Sequence, residues 1–349
     1  MTVDASVHVA PASRAEFDDY LRRPWQTRSF PSTDRHVYAR ENEYWDRLAV
    51  PGQPPGDPAT VVGDVFGIVG ASHAVLLPHA RGLLPSANLS VALCAGTNDW
   101  LAGRYLDDAE LNREGRLSGV VRVEPRDPDA AVEEIERWAG HPHVVGVGVP
   151  TQAWQPYGHP SYLPVWRAAA RHGLPVVVHT EPAAGVDFAP TVAGYPRFAA
   201  EVQATEALTF AFHLASLYAE GVFRWVDNLV FVFADGGFDE LWPLLWRIDK
   251  DWRGNRAELP AADGPPSGVL KDHVRFVAHK LEGPPIEAER AAWWAASPLA
   301  DDIVMFGSNY PQWNAWTADE FGSCLAEPAR TAMLEDVASR TFGLRVGVA

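Results

Sequence analysis

The sequence predicts an α/β fold in which eight parallel strands close into a (β/α)8 TIM barrel, and three observations carry that reading. Short apolar runs alternate with segments of helical periodicity along the 349 residues. Eight such runs are present, the number that suits a closed barrel. Polar groups, two histidines among them, stand on or at the ends of runs from the first, middle and last thirds of the chain, as one site ringed by strand ends requires.

The first run, VDASVHV, places Asp4, Ser6 and His8 at alternating positions, so an unbroken strand would turn all three to one side. Residues 10–57 follow as an aromatic-rich insertion with Trp25, Phe30, Tyr38, Tyr44 and Trp45. Loops after barrel strands lie over the carboxyl face, which makes the insertion a candidate lid. A peripheral embellishment packed on the outer helices is the other reading. The runs HAVLLPH and GVVRVEP come next, then a helix in DPDAAVEEIERWAG. That helix starts at Asp127-Pro128, carries Val132, Ile135 and Trp138 at helical spacing, and stops at Gly140.

VVGVGVP supplies the fourth strand, and LPVVVHTEP the fifth. Three valines that must be buried lead into His179, followed by Thr180 and Glu181. Such burial lowers an imidazole's pKa and keeps it neutral, fit to ligate a metal or to take a proton. His213 lies at helical spacing from Phe210 and Leu217. LVFVFADGGF ends the sixth strand at Asp235, a carboxylate that also suits the helix start offered by the glycines after it. In DELWPLLWRIDKDWRG, Leu241, Leu244, Leu245, Ile248 and Trp252 make one stripe, with Pro243 tolerable near the first turn. RGNRAELPAADGPPSG reads as an exposed connection, VRFVAHK ends the seventh strand at His279, and VMFGSNYPQW stops the eighth at Ser308-Asn309. Trp138, Trp166, Trp242 and Trp246 fall on amphipathic helices and read as packing, whereas Trp313 and Trp316 follow the last strand and can wall an apolar or aromatic substrate.

Composition narrows the function. A net charge of −16 repels nucleic acid and anionic membrane surfaces, which leaves a small molecule as the expected partner, with a homodimer possible. Cys94 and Cys324 are the two cysteines and have no metal-ligand spacing, as in a reduced cytoplasmic protein. The start lacks the basic-then-apolar pattern of a signal segment, and no apolar run reaches the roughly 18 residues of a membrane span. The expectation is a cytoplasmic enzyme of one domain, residues 1–349.

Five segments together resemble the amidohydrolase-related metal-dependent hydrolases of the second large sequence group, which includes decarboxylases of aminocarboxymuconate type. They are NDWLAGRYLD, the segment from Asp127 to Pro150, PSYLPVWRAAARHGLPVVVHTE, the segment from Ala215 to Arg253, and FGSNYPQWNAW. The resemblance spans nearly the whole chain and implies a distorted (β/α)8 barrel. It also implies that His8 and His179 match metal ligands. Relatives open with Asp-x-His or His-x-His where this chain has Ser6-Val7-His8, and close with Ser-Asp-Tyr-Pro-His-Trp-Asp where it has Ser308-Asn309-Tyr310-Pro311-Gln312-Trp313-Asn314. Ser6 and Asn309 thus occupy ligand positions without comparable ligand strength. Asp235 stands where relatives carry an acid/base group, His213 where they carry Gln on a pocket-lining helix, and His279 where they carry a small polar residue.

The leading expectation is therefore an enzyme with a degenerate metal site and no cofactor, acting on a small carboxylated or aromatic metabolite. His8, His179 and Asp235 supply acid/base chemistry for decarboxylation, cyclisation or hydrolysis. Ser6, Glu181, His213, His279, Asn309 and Trp313 contact the substrate. Two alternatives stay open. In one, His8, His179 and a carboxylate, Asp235 or Glu181, hold a divalent metal such as zinc; in the other, the barrel binds a ligand without catalysis.

Overall fold

A computed structural model of the chain describes residues 1–27, 46–48, 56–79, 84, 86–179, 197–205, 207–259, 264–297 and 299–344. Strands form at the eight apolar runs: β1 Val3–Val9, β2 His73–Pro78, β3 Leu117–Arg122, β4 Val144–Pro150, β5 Val176–His179, β6 Phe231–Ala234, β7 Val274–Ala278 and β8 Val304–Phe306. They pair in parallel in sequence order, with helices between them. β-Branched and aromatic residues dominate the strands because they pack well on a pleated surface buried on both sides.

The two faces of the barrel wall carry separate cores. Val3, Ala5, Val75, Leu77, Val120 and Val177 fill the interior with Val232, Val277 and Met305. Residues of opposite parity, such as Val121, Val147, Val178 and Phe233, pack outward with the helix residues Trp100 and Trp166.

The junction of β8 with β1 is the thinnest part of the ring. One bridge, Val7 to Tyr310, closes it, with the His8 amide donating to the Tyr310 carbonyl at 2.8 Å. Asp4 reinforces this seam: its Oδ1 accepts from the Ser308 amide at 2.8 Å and from the Ser6 amide at 3.1 Å. Gly307 permits the close approach, since a Cβ there would lie 2.3 Å from Val277 Cγ1 and 2.6 Å from Ser6 Cβ. A register shift between Asp4 and Val7 breaks the strict alternation expected of β1. Asp4 is consequently spent on the seam, while Ser6 and His8 reach the site.

The helix Pro128–Trp138 starts as its sequence indicates, with Asp127 accepting from the Ala130 amide at 3.1 Å. The helix Phe238–Asn255 contains Pro243 in its second turn and buries Leu241 and Leu245, with Leu244 packed beside them. Trp246 departs from expectation: it is 65% exposed, because it lies off the Leu241–Leu245 stripe, whereas Trp166 and Trp242 are buried. At the beginning of the insertion, helix Arg14–Asp18 docks on helix Ala87–Leu101, where Trp100 Nε1 donates to Glu16 Oε1 at 2.9 Å. Trp25 packs on the Phe17, Leu21, Leu89 and Leu93 cluster. Phe30, Tyr38, Tyr44 and Trp45, which the lid reading invokes, lie outside the described residues. Among the described residues, no helix is long and apolar enough to cross a membrane.

Candidate active site

The carboxyl ends of the strands bring together residues more than 200 positions apart. His8 comes from β1, His179 ends β5, and Asp235 follows β6. Their ligand atoms all lie within 4.8 Å of one another. Asp235 Oδ2 stands 2.9 Å from His179 Nε2 and 3.3 Å from His8 Nε2. Its other oxygen, Oδ1, accepts from Ser6 Oγ at 2.7 Å. Ser6 thereby fixes which carboxylate oxygen turns toward the two imidazoles.

The backbone at these strand ends is specialised. Asp235 has φ 72° and Asn309 φ 59°, a left-handed conformation that Asp and Asn tolerate better than other non-glycine residues. Gly236 and Gly237 follow Asp235 with φ 138° and 90°, completing a turn that larger residues resist.

A chain of amides meets the same His8 nitrogen that faces Asp235. His8 Nε2 lies 2.9 Å from Asn309 Oδ1, Asn309 Nδ2 donates to Asn314 Oδ1 at 3.0 Å, and Asn314 Nδ2 lies 3.1 Å from His279 Nε2. His279 is buried, and its Nδ1 has no partner among the described residues.

Burial sets the electrostatics. It pushes the His179 imidazole down to about 4, assisted by neighbouring His8, and takes His279 down to about 4 as well. Both rings are therefore neutral near pH 7, with lone pairs available. Burial acts to raise the Asp235 carboxyl, but the two adjacent imidazoles outweigh it and hold the group well below the usual carboxylate range. At the seam, burial raises Asp4 to about 6 against the lowering effect of its Ser308 hydrogen bonds.

This donor set fits a divalent cation. Two imidazoles and one carboxylate are the ligand types of open catalytic sites. Asp235 Oδ2 is buried and makes no well-formed hydrogen bond, although two ring nitrogens stand within 3.3 Å.

Not every residue singled out from sequence joins this group. His213 is buried but satisfied elsewhere: Nδ1 accepts from the Tyr157 amide at 3.2 Å, Nε2 lies 2.6 Å from the Thr151 carbonyl, and the ring stacks on Tyr157. It fastens the loop after β4 to helix Leu208–Ala219. Trp313 is 53% exposed, and Trp316 packs on the core. Glu181 lies outside the described residues.

Two site neighbours escaped the sequence reading. His79, directly after β2, has its ring centroid 5.0 Å from that of His8 and 6.0 Å from that of His179. Arg122 ends β3 and is 2% exposed. Each had a visible signal, for His79 ends its apolar run as His179 does, and Arg122 places a charge at the close of GVVRVEP.

The amidohydrolase family model matches residues 3–344. No curated protein sequence matches the chain. Solved structures with the same fold include an amidohydrolase from Mycobacterium avium subsp. paratuberculosis, at 18% identity and a TM-score of 0.71 over 99% of this chain and 98% of that one. They also include 2,6-dihydroxybenzoate decarboxylase from Rhizobium, at 19% identity and a TM-score of 0.64 over 98% of each chain. A third is 5-carboxyvanillate decarboxylase from Novosphingobium aromaticivorans, holding manganese and 3-methoxy-4-hydroxy-5-nitrobenzoic acid, at 17% identity and a TM-score of 0.67 over 99% of this chain and 97% of that one. At such identities the likeness is one of fold. With the barrel and its strand-end histidines, the match over residues 3–344 makes the chain a member of the amidohydrolase family.

Proposed function

We propose that the chain is a divalent-metal-dependent decarboxylase of a small aromatic carboxylate, with His8, His179 and Asp235 as the metal ligands. The observation that supports the proposal is the convergence of His8, His179 and Asp235, whose ligand atoms all lie within 4.8 Å of one another. Fold-level likeness to aromatic acid decarboxylases, one of them holding manganese, supports the substrate class.

The expectation of a degenerate, metal-free site gives way on this ground. It rested on Ser6 and Asn309 standing at positions where relatives place ligands. The carboxylate here comes from the end of β6 instead, so loss of an acid at the end of β8 does not empty the donor set.

When bound, a divalent cation supplies Lewis-acid polarisation of a substrate oxygen. The protein's own groups do the rest. Ser6 orients Asp235, and burial keeps His179 neutral. His279, held at Nε2 by Asn314, keeps an Nδ1 with no partner among the described residues, which can exchange a hydrogen bond or a proton.

Metal analysis and carbon dioxide release test this together. Protein purified without chelator is expected to hold about one equivalent of divalent metal per chain, as a three-ligand site does. It should release carbon dioxide from hydroxybenzoates in a manner abolished by chelation and restored by manganese. Turnover that survives complete metal removal returns the chemistry to His8, His179 and Asp235 as acid/base groups. Metal uptake without carbon dioxide release from any hydroxybenzoate overturns the decarboxylase assignment.

A further inference from the structure

The loop after β8 returns on itself, with the Gln312 amide donating to the Asn309 carbonyl at 2.9 Å and the Trp316 amide to the Ser308 carbonyl at 3.1 Å. That return sets Asn314 between Asn309 and His279, the residue after β7. His279 comes two positions after Val277 of the barrel-interior core, so strand alternation turns it inward at the carboxyl mouth. Asp235 and His8 are among the groups whose charge acts on its ring, which places it near the candidate ligands.

Hydrogen-bond direction runs one way along this loop. His8 Nε2 is ringed by oxygens: Asn309 Oδ1 at 2.9 Å, Ser6 Oγ at 3.2 Å and Asp235 Oδ2 at 3.3 Å. Ser6 commits its hydroxyl hydrogen to Asp235 Oδ1, so all three oxygens turn lone pairs to the nitrogen. A ring hydrogen or a bound cation at His8 Nε2 favours the same arrangement, and either keeps the Asn309 oxygen on the His8 side. Asn309 Nδ2 then donates to Asn314 Oδ1 at 3.0 Å, which leaves Asn314 Nδ2 facing His279 Nε2 at 3.1 Å.

An amide NH2 offers hydrogens and no lone pair, so His279 Nε2 is the acceptor. Burial holds this imidazole neutral near pH 7, with a single ring hydrogen. That hydrogen therefore sits on Nδ1, which is buried and meets no partner among the described residues. A buried donor left unmet has lost its hydration without return, and an acceptor on a bound ligand restores the balance.

We infer that His279 is a specificity-determining residue whose Nδ1–H donates to an acceptor oxygen of the substrate, with Asn309 and Asn314 setting that polarity. Of the exchanges open to Nδ1, this leaves the donated hydrogen bond, because a nitrogen that already carries the hydrogen takes no proton. The selected group is an oxygen without a hydrogen of its own, as in a carboxylate, phenolate, ether or nitro group. Asn309 and Asn314 are positioning residues that act through His279. The inference deepens the proposed function and rests on it for the mouth being the substrate site, but the tautomer belongs to the chain with or without metal.

Asn314→Asp reverses the last link. A carboxylate at 314 accepts from both Asn309 Nδ2 and His279 Nε2, which moves the ring hydrogen to Nε2 and leaves a lone pair at Nδ1. Nitrogen NMR of the full chain with labelled histidine, zinc-loaded and chelator-treated at mildly alkaline pH, reads the tautomer; the signal lost in His279→Phe identifies the ring. Wild-type protein is expected to carry the hydrogen on Nδ1 in both states and Asn314→Asp on Nε2. Calorimetry of the zinc-loaded chain then compares 2-, 3- and 4-nitrobenzoate, acceptors at the added group, with the corresponding aminobenzoates, donors there. For the best-bound isomer, the nitro-to-amino affinity ratio should fall by about fivefold or more in His279→Phe, the scale of one hydrogen bond, and further in Asn314→Asp. Either variant serves if the other does not fold. A wild-type hydrogen on Nε2 overturns the inference, as does an unchanged ratio in a folded variant. Failure of the decarboxylase reading looks different: metal uptake or carbon dioxide release is absent while the tautomer and the shift in ratio stand.

Discussion

Asp235 draws together left-handed backbone, one buried carboxylate oxygen and another held by Ser6. Asparagine tolerates φ 72° as aspartate does, so Asp235→Asn is expected to fold normally and to lose metal uptake with the anionic ligand. Ser6→Ala leaves the ligand but frees its orientation, and a drop of about 10–100-fold in metal affinity is expected. Titration with manganese checks both; wild-type uptake by Asp235→Asn would remove Asp235 from the ligand set. His8, His179 and Asp235 were legible in the sequence because each is a polar group on or at the end of an apolar strand. Their grouping was legible as well, both as an acid/base set and as a metal site completed by Asp235 or Glu181. The amides at 309 and 314 nevertheless tilted the leading reading toward a lost metal, since a linear sequence does not show how closely the end of β6 approaches the two imidazoles. Arg122 was hidden for a related reason: Gly148, whose open space it fills, becomes its neighbour only when β3 pairs with β4.

At the scale of elements, all eight strands were readable as apolar runs, because burial on both faces leaves little room for polar residues. The irregularities were not. The register shift in β1, which separates Asp4 from Ser6 and His8, arises from pairing with β2 and has no local signature in VDASVHV. Helix Phe238–Asn255 followed its stripe at Leu241 and Leu245, yet Trp246 shows that an indole on an amphipathic helix can sit on the wet side. Gly307 is the element-level position with the least tolerance, since its surroundings include Ser6 N at 3.0 Å as well as the side chains of Val277 and Ser6. Gly307→Ala is expected to lower unfolding stability by about 1–3 kcal/mol or more through overpacking. Urea denaturation measures it, and an unchanged midpoint would show that the β8 end can shift without loss.

Over the whole molecule, buried imidazoles set the response to acid. Burial takes His179, His213 and His279 from 6.5 down to about 4, and His79 well below its ordinary value. Between those limits the unfolded chain binds more protons at these positions than the folded one, so stability falls as pH drops from about 6.5 toward 4. Asp4 works in the opposite direction, because its raised value of about 6 makes the folded state the better proton binder between roughly 4 and 6. Four imidazoles outweigh one carboxyl, each net proton contributing up to about 1.4 kcal/mol per pH unit. Chelator-treated protein is therefore expected to melt at a lower temperature at pH 5 than at pH 7. An equal or higher melting temperature at pH 5 would contradict the burial of these rings.

The thin junction between β8 and β1 gives the candidate metal a mechanical part as well. The barrel is a hoop fastened by one strand bridge and the Asp4 carboxylate, and His8 sits on the fastened edge. His179 and Asp235 stand across the opening on β5 and just after β6. A cation held by all three would act as a rivet driven through the diameter of the hoop, pulling its loose edge toward the far wall. Resistance to opening would then rise with free metal, by about 2.7 kcal/mol at a hundredfold excess over the dissociation constant. Amide exchange at His8 and Ser308 should slow with it, so that the candidate metal centre doubles as the clasp of the barrel.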